Sequence, residues 1–176
     1  MKFSSLILLF ILSMGGILLP RDFDYRDIPI HENGRIKPLD TFVRNQLLLI
    51  YGKRSIKQNA LPGELNSKGL SAIDWFFDIA LNPDDGDKYR VFNISNPEVV
   101  ASLGLDWDPR HLYNQTEILT GLKNQIDYIT TIQGKPEAEL TQFDTQMLKV
   151  YSNVIQYQTL SYSLSCLLPL IQINNK

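Results

Sequence analysis

The residues best suited to chemistry gather in one stretch, Ile28-Pro-Ile-His-Glu-Asn-Gly-Arg-Ile-Lys-Pro-Leu-Asp-Thr-Phe-Val-Arg44. Arg35, Lys37 and Arg44 flank Asp40, and His31 is one of the chain's 2 histidines. Guanidinium and ammonium groups held together recognise carboxylates and phosphates. A helix opening near Asp40 adds unpaired first-turn amides that favour the same ligands. Such a cluster fits a haem propionate or an acidic loop of a partner. The same side chains serve equally well as bracing, with Asp40 pairing to Arg35 or Arg44 and locking the turn to the helix. His31 is a candidate haem or metal ligand, although His111 lies far along the chain. No serine or cysteine nucleophile has a partnered base, and no glycine loop has a phosphate-binding pattern. The residues therefore indicate no catalytic site, and no enzyme.

The elements that must position this cluster are local. Asn33-Gly34 supplies the positive φ of a tight reversal, so Ile28 and Ile30 before it and Ile36 after it form a small hairpin. Lys37-Pro38 keeps the chain extended. A helix then opens at Pro38-Leu39 or Asp40, capped by Asp40 or Thr41. Leu39, Phe42, Val43, Leu47 and Ile50 mark its buried face, and Gly52 stops it. Arg44 shares a face with Asp40 and Thr41.

Downstream the spacing predicts scaffold. Lys53 to Leu70 is polar, contains Pro62-Gly63 and reads as a loop. Ser71 caps a helix to Leu81 with Ile73, Phe76, Phe77 and Ala80 facing inward. Asp84-Asp-Gly-Asp87 reads as an acidic turn, because it lacks the other ligand positions of a calcium loop. Tyr89 to Ile94 alternates as one short strand. Asn96-Pro97-Glu98 opens a helix that Gly104 ends. Trp107 to Tyr113 is a rigid aromatic connector. Asn114-x-x-Glu117 is a capping box starting one helix to about Gln133. Pro136 starts the longest helix, whose seam is Leu140, Phe143, Met147, Val150, Val154, Tyr157, Ser161 and Leu164. The expected fold is mostly α: a helical domain with a long C-terminal antiparallel helical hairpin and at most a small β-hairpin or short strands.

At 176 residues the chain holds one such domain, residues 21–176 with an apolar C-terminal tail, behind residues 1–20. Lys2 and the uncharged run that follows it read as a signal peptide or N-terminal membrane anchor, which directs the domain out of the cytoplasm. The single cysteine, Cys166, excludes a disulfide framework or a cysteine metal cage within one chain. No C-x-x-C-H attaches haem covalently. The net charge of −2 gives no argument for nucleic acid. Its distribution is uneven: Arg35, Lys37, Arg44, Lys53, Arg54 and Lys57 precede an acidic region from Asp74 to Asp108.

The organising stretch resembles the lP-x-q-x-x-G-R-x-K-P-L-D-T-x-A-R segment of system II cytochrome c biogenesis proteins, the membrane-embedded ResB/CcsA-like haem handling and ligation family. Gly34, Arg35, Lys37, Pro38, Leu39, Asp40, Thr41 and Arg44 match, and Val43 replaces the usual alanine. The following Gly52-Lys53, the helix from Trp75 to Pro83, and Val91 to Leu105 are also similar. The likeness spans about residues 28–170, and its first segment is the specific part. This sequence has no multispan domain, tryptophan-rich haem segment or membrane histidines of that family. What the resemblance implies is a non-catalytic accessory module of cytochrome c maturation on the periplasmic, or extracytoplasmic, face of the inner membrane. Its partners would be an integral membrane cytochrome c assembly protein and apocytochrome c, with haem bound only in transit. Gly34, Arg35, Lys37, Pro38, Asp40, Thr41 and Arg44 would form the partner- or propionate-binding surface. The alternative is a structural subunit of a respiratory or other membrane protein complex. A periplasmic haem-binding protein, using 2 histidines and 8 tyrosines, comes third.

Overall fold

The computed structural model describes residues 24–57, 60, 69–83 and 88–165. The expected leader, the acidic turn at Asp84 to Asp87 and the apolar tail from Cys166 lie outside them, as does most of the Lys53 to Leu70 stretch. The described residues form six α-helices and three two-stranded antiparallel ribbons, so the chain is mostly α with small strands. Two compact units divide the chain, Met1–Leu39 and Asp40–Lys176.

The first unit carries the predicted hairpin. β1 (Pro29–Glu32) pairs with β2 (Arg35–Pro38) in a register that sets His31 opposite Ile36 and Glu32 opposite Arg35. Asn33 and Gly34 have φ of 51° and 73°. Positive φ at both central residues is the type I′ geometry whose twist suits flanking strands. Asp24 caps a single 3-10 turn at Tyr25–Asp27 just before it.

The second unit is helical. α1 (Leu39–Tyr51) begins at the unit boundary and buries Val43, Leu47, Ile50 and Tyr51. Gly52 follows at φ 77°, the left-handed stop that glycine accepts most readily. The expected loop after it begins and ends in structure: β3 (Ser55–Ile56) pairs with β4 (Leu70–Ser71), and Ile56 is fully buried. A two-residue strand has too little periodicity to show in sequence. Ser71 Oγ accepts from the Asp74 amide at 3.2 Å and opens α2 (Ala72–Leu81), as predicted. Trp75, which the helical spacing did not single out, is fully buried, whereas Phe77 is half-buried.

The predicted strand at Tyr89 to Ile94 narrows to β5 (Phe92–Asn93), and its partner is β6 (Leu112–Tyr113) in the aromatic connector. Between them lies α3 (Pro97–Ser102), with Asn96 Oδ1 accepting from the Glu98 amide at 2.8 Å. The single helix expected from Asn114 to Gln133 is two: α4 (Gln115–Asn124) and α5 (Ile126–Gln133). At the break, Gln125 Nε2 donates to the Ser102 carbonyl at 3.0 Å. Ile129 and Ile132 are inside, whereas Ile126 of the expected buried face is 45% exposed.

Pro136 opens only a 3-10 turn, Glu137–Glu139. The last helix, α6 (Gln142–Ser161), starts later, where Thr141 and Asp144 form a capping box. The connection is therefore longer than the two-residue break the sequence suggested. α6 is the hub of this unit and packs against α2, α3, α4 and α5. Met147, Val150, Val154 and Tyr157 of the predicted seam are core. The Tyr157 ring meets Trp75 of α2 at 5.9 Å and Phe92 of β5 at 5.2 Å. Between α5 and α6, Tyr128 donates to the buried Asp144 carboxylate and rests against Phe143.

Candidate functional site

The residues of the predicted cluster fall in both units. In the first, Gly34 turns the hairpin and Pro38 closes β2 opposite Pro29. Lys37 Nζ reaches diagonally to the Glu32 carboxylate at 2.5 Å, both side chains being half-buried. Arg35 and His31 are exposed, and Arg35 makes no ion pair among the described residues. Ile36, beside His31 in the register, is 76% exposed.

In the second unit, Asp40 is not a cap. α1 starts at Leu39, which puts Asp40 and Thr41 inside the first turn. The Leu39 amide instead donates to the Ile28 carbonyl at 2.8 Å. The Asp40 carboxylate accepts from Arg44 Nε at 2.8 Å, the i,i+4 pairing, and still complements the helix dipole. Arg44 remains half exposed, so the pair contributes only about 0.3–0.5 kcal/mol. Lys37 and Arg44 thus have internal carboxylate partners, while Arg35 and His31 face solvent.

A second constellation lies wholly in the helical unit. Gly104, at φ 67°, turns the chain out of α3. The loop that follows is braced from within. Asp108 Oδ1 accepts from the Arg110 amide at 2.8 Å, and Arg110 Nη2 reaches Asp108 Oδ2 at 2.9 Å. Tyr113 Oη donates to the Asp106 carbonyl and receives the Asp108 amide, both at 3.2 Å. His111 adopts φ 57° and donates its amide to the Asp108 carbonyl at 2.8 Å. Its ring lies edge-on to Trp107 with centroids 4.7 Å apart.

Arg90 ties this loop to the start of α4. Its Nε donates to the Leu112 carbonyl at 3.0 Å, Nη1 to Glu117 at 2.8 Å and Nη2 to Asp108 at 3.3 Å. Glu117 uses its other oxygen to accept the Asn114 amide at 2.9 Å, completing the predicted capping box. The hydrogen bonds from Arg110 hold the Asp108 carboxyl down to about 2, against the opposing effect of burial. Asp108 in turn raises the Arg110 guanidinium.

These groups line an open pocket of about 780 Å³ with Leu105, Asp106 and Trp107 on its wall. Trp107 is 49% exposed. Sequence reading recognised the aromatic connector and the capping box but not the network. Its signal was Asp108-Pro-Arg110, a turn whose acid and base pair locally. Arg90 carried no such signal, because its partners lie 18 and 27 residues away.

Lys88 and Tyr89 form a smaller network on Asp78: Lys88 Nζ lies at 2.7 Å and Tyr89 Oη donates to the same oxygen. Burial works against the charged carboxylate, but these donors outweigh it and lower Asp78. Burial, then Asp78, pushes the Tyr89 hydroxyl upward. This network reads as bracing between α2 and the strand that follows.

Among the described residues, no group of three or more histidine, cysteine or acidic side chains is placed to hold a metal, and no helix is long and apolar enough to cross a membrane. Comparison of the chain with protein-family models, curated proteins and solved structures returns no match.

Proposed function

We propose that this chain is a non-catalytic accessory module of cytochrome c maturation, docking to an integral membrane haem-handling protein and serving haem delivery or apocytochrome c presentation. The observation that carries the reading is the Gly34–Arg44 segment and its resemblance to the system II biogenesis family. The segment forms a type I′ hairpin followed directly by a helix, and leaves Arg35 and His31 open to solvent. On this reading Gly34, Arg35, Lys37, Pro38, Asp40, Thr41 and Arg44 meet the partner or a haem propionate, and His31 is the candidate ligand for haem in transit. The uncharged leader sends the domain to the extracytoplasmic face of the inner membrane. α4 and α5 with α6 then form the antiparallel helical hairpin on which the domain is built.

The test is replacement of both arginines, Arg35→Ala with Arg44→Ala, in cells that make c-type cytochromes. Holo-cytochrome c should fall while the domain keeps its melting temperature. Normal cytochrome levels would refute the assignment.

A second reading, a structural subunit of a respiratory or other membrane complex, rests on different observations. Lys37 and Arg44 already have partners within their own units, which suits bracing. A shallow apolar groove of about 210 Å³ runs over Leu119, Leu122, Ile126, Val154 and Ile155 and suits a neighbouring subunit. A gentle membrane pull-down with an absorbance scan separates the readings: a multispan haem protein favours the first, a respiratory complex the second.

A further inference from the structure

We propose that the Trp107 pocket is a docking site for a basic side chain, lysine or arginine, presented by an extended segment of a partner protein. The inference does not rest on the Gly34–Arg44 reading and survives or fails separately.

Charge is the first argument. The charged side chains lining the pocket are Arg90, Arg110, Asp106, Asp108 and Glu117. Two cations against three carboxylates leave one excess negative charge. Both cations are committed. Arg90 is spread over Glu117, Asp108 and the Leu112 carbonyl, and Arg110 holds Asp108. An entering anion would have to break that network. An entering cation would not, because the Asp106 side chain is exposed and has no ion pair among the described residues.

The aromatic wall is the second argument. Trp107 stays half exposed beside the pocket, and an indole face attracts ammonium and guanidinium groups more strongly than any other side-chain ring. Exposed tryptophans on rigid supports are also typical anchors of protein–protein contacts.

Rigidity is the third. The Tyr113 hydroxyl, the Asp108 carboxylate and the His111 turn hold the loop before any partner arrives. Little ordering is then left to oppose binding. A volume of about 780 Å³ admits one long side chain with its flanking backbone.

The experiment uses the full chain labelled with ¹⁵N and follows its 2 tryptophan indole signals, assigned with Trp107→Phe. Trp75 is fully buried and serves as the internal reference. The probes are acetyl-Gly-Arg-Gly-amide and acetyl-Gly-Lys-Gly-amide. The controls are the same peptide with citrulline, which keeps the shape of arginine without its charge, and inorganic phosphate. The basic peptides should shift the Trp107 signal saturably and leave Trp75 still. Citrulline, or the Asp106→Asn variant with arginine, should bind at least five-fold more weakly. No saturable shift, equal binding of citrulline, indifference to Asp106→Asn, or a shift with phosphate alone would each overturn the proposal.

Discussion

Arg90 donates to Glu117 at 2.8 Å across 27 residues of chain, and the other oxygen of the same carboxylate accepts the Asn114 amide. One side chain thus closes both a helix cap and the ion-pair network around the Trp107 loop. Glutamine cannot do both jobs. With its oxygen on the Asn114 amide, its NH₂ would face the Arg90 guanidinium, donor against donor. Glu117→Gln should therefore cost about 1 kcal/mol. Glu117→Ala, which also loses the bond to the Asn114 amide while the Asn114 side chain still caps the helix, should cost about 2 kcal/mol. Urea unfolding of the two variants measures the difference.

Gly121 should be irreplaceable for a steric reason. A Cβ there would lie 2.2 Å from the Leu103 carbonyl oxygen and 2.8 Å from its Cα, so α4 and the end of α3 approach backbone to backbone. Helix propensity alone would favour alanine by about 1 kcal/mol. The clash should reverse that sign, and Gly121→Ala should destabilise by about 1–3 kcal/mol. Gly134 is the control: its added Cβ would make an ordinary 3.6 Å contact, and its alanine variant should fall within about 0.5 kcal/mol of wild type. Thermal unfolding of both variants decides it.

Acid should weaken the Trp107 loop in a defined window. The Asp108 carboxyl has its folded value lowered from 3.8 to about 2, first by the Arg110 hydrogen bond. A depressed folded value contributes stability above the unfolded value and loses it as pH falls through the folded one. The stability difference between wild type and Asp108→Asn should hold at pH 5 and above, then shrink between about pH 4 and pH 2. A difference that stays constant across that range would mean the charge of Asp108 is not what stabilises the loop.

The hairpin turn should respond to backbone conformation alone. Gly34 sits at φ 73° with nothing within 4 Å of an added Cβ. Gly34→Ala therefore meets no clash and should cost about 1–2 kcal/mol through the left-handed conformation itself. The hairpin belongs to a separate compact unit, so the effect should appear as faster hydrogen exchange of the β1 and β2 amides. A variant that unfolds the helical unit in parallel would contradict this.

Features whose partners lie within a few residues follow from local chain chemistry. Asn33-Gly34 as a tight reversal, Ser71, Asn96-Pro97 and Asn114 with Glu117 as helix starts, and Gly52 and Gly104 as stops are all local energetics. Each was legible because a cap or a positive φ is decided inside one turn of chain. The α6 seam was legible too, since helical periodicity records which face is buried without saying against what. Tertiary structure decided the rest. It broke the α4–α5 helix where Gln125 reaches the Ser102 carbonyl, whereas the start of α6 at Thr141 rests on a local capping box that the Pro136 expectation passed over. It assembled Arg90, Asp108, Arg110 and Glu117 beside Trp107 from separate segments. An ion-pair network of that span leaves no period in the sequence, because its members meet only after the helices have packed.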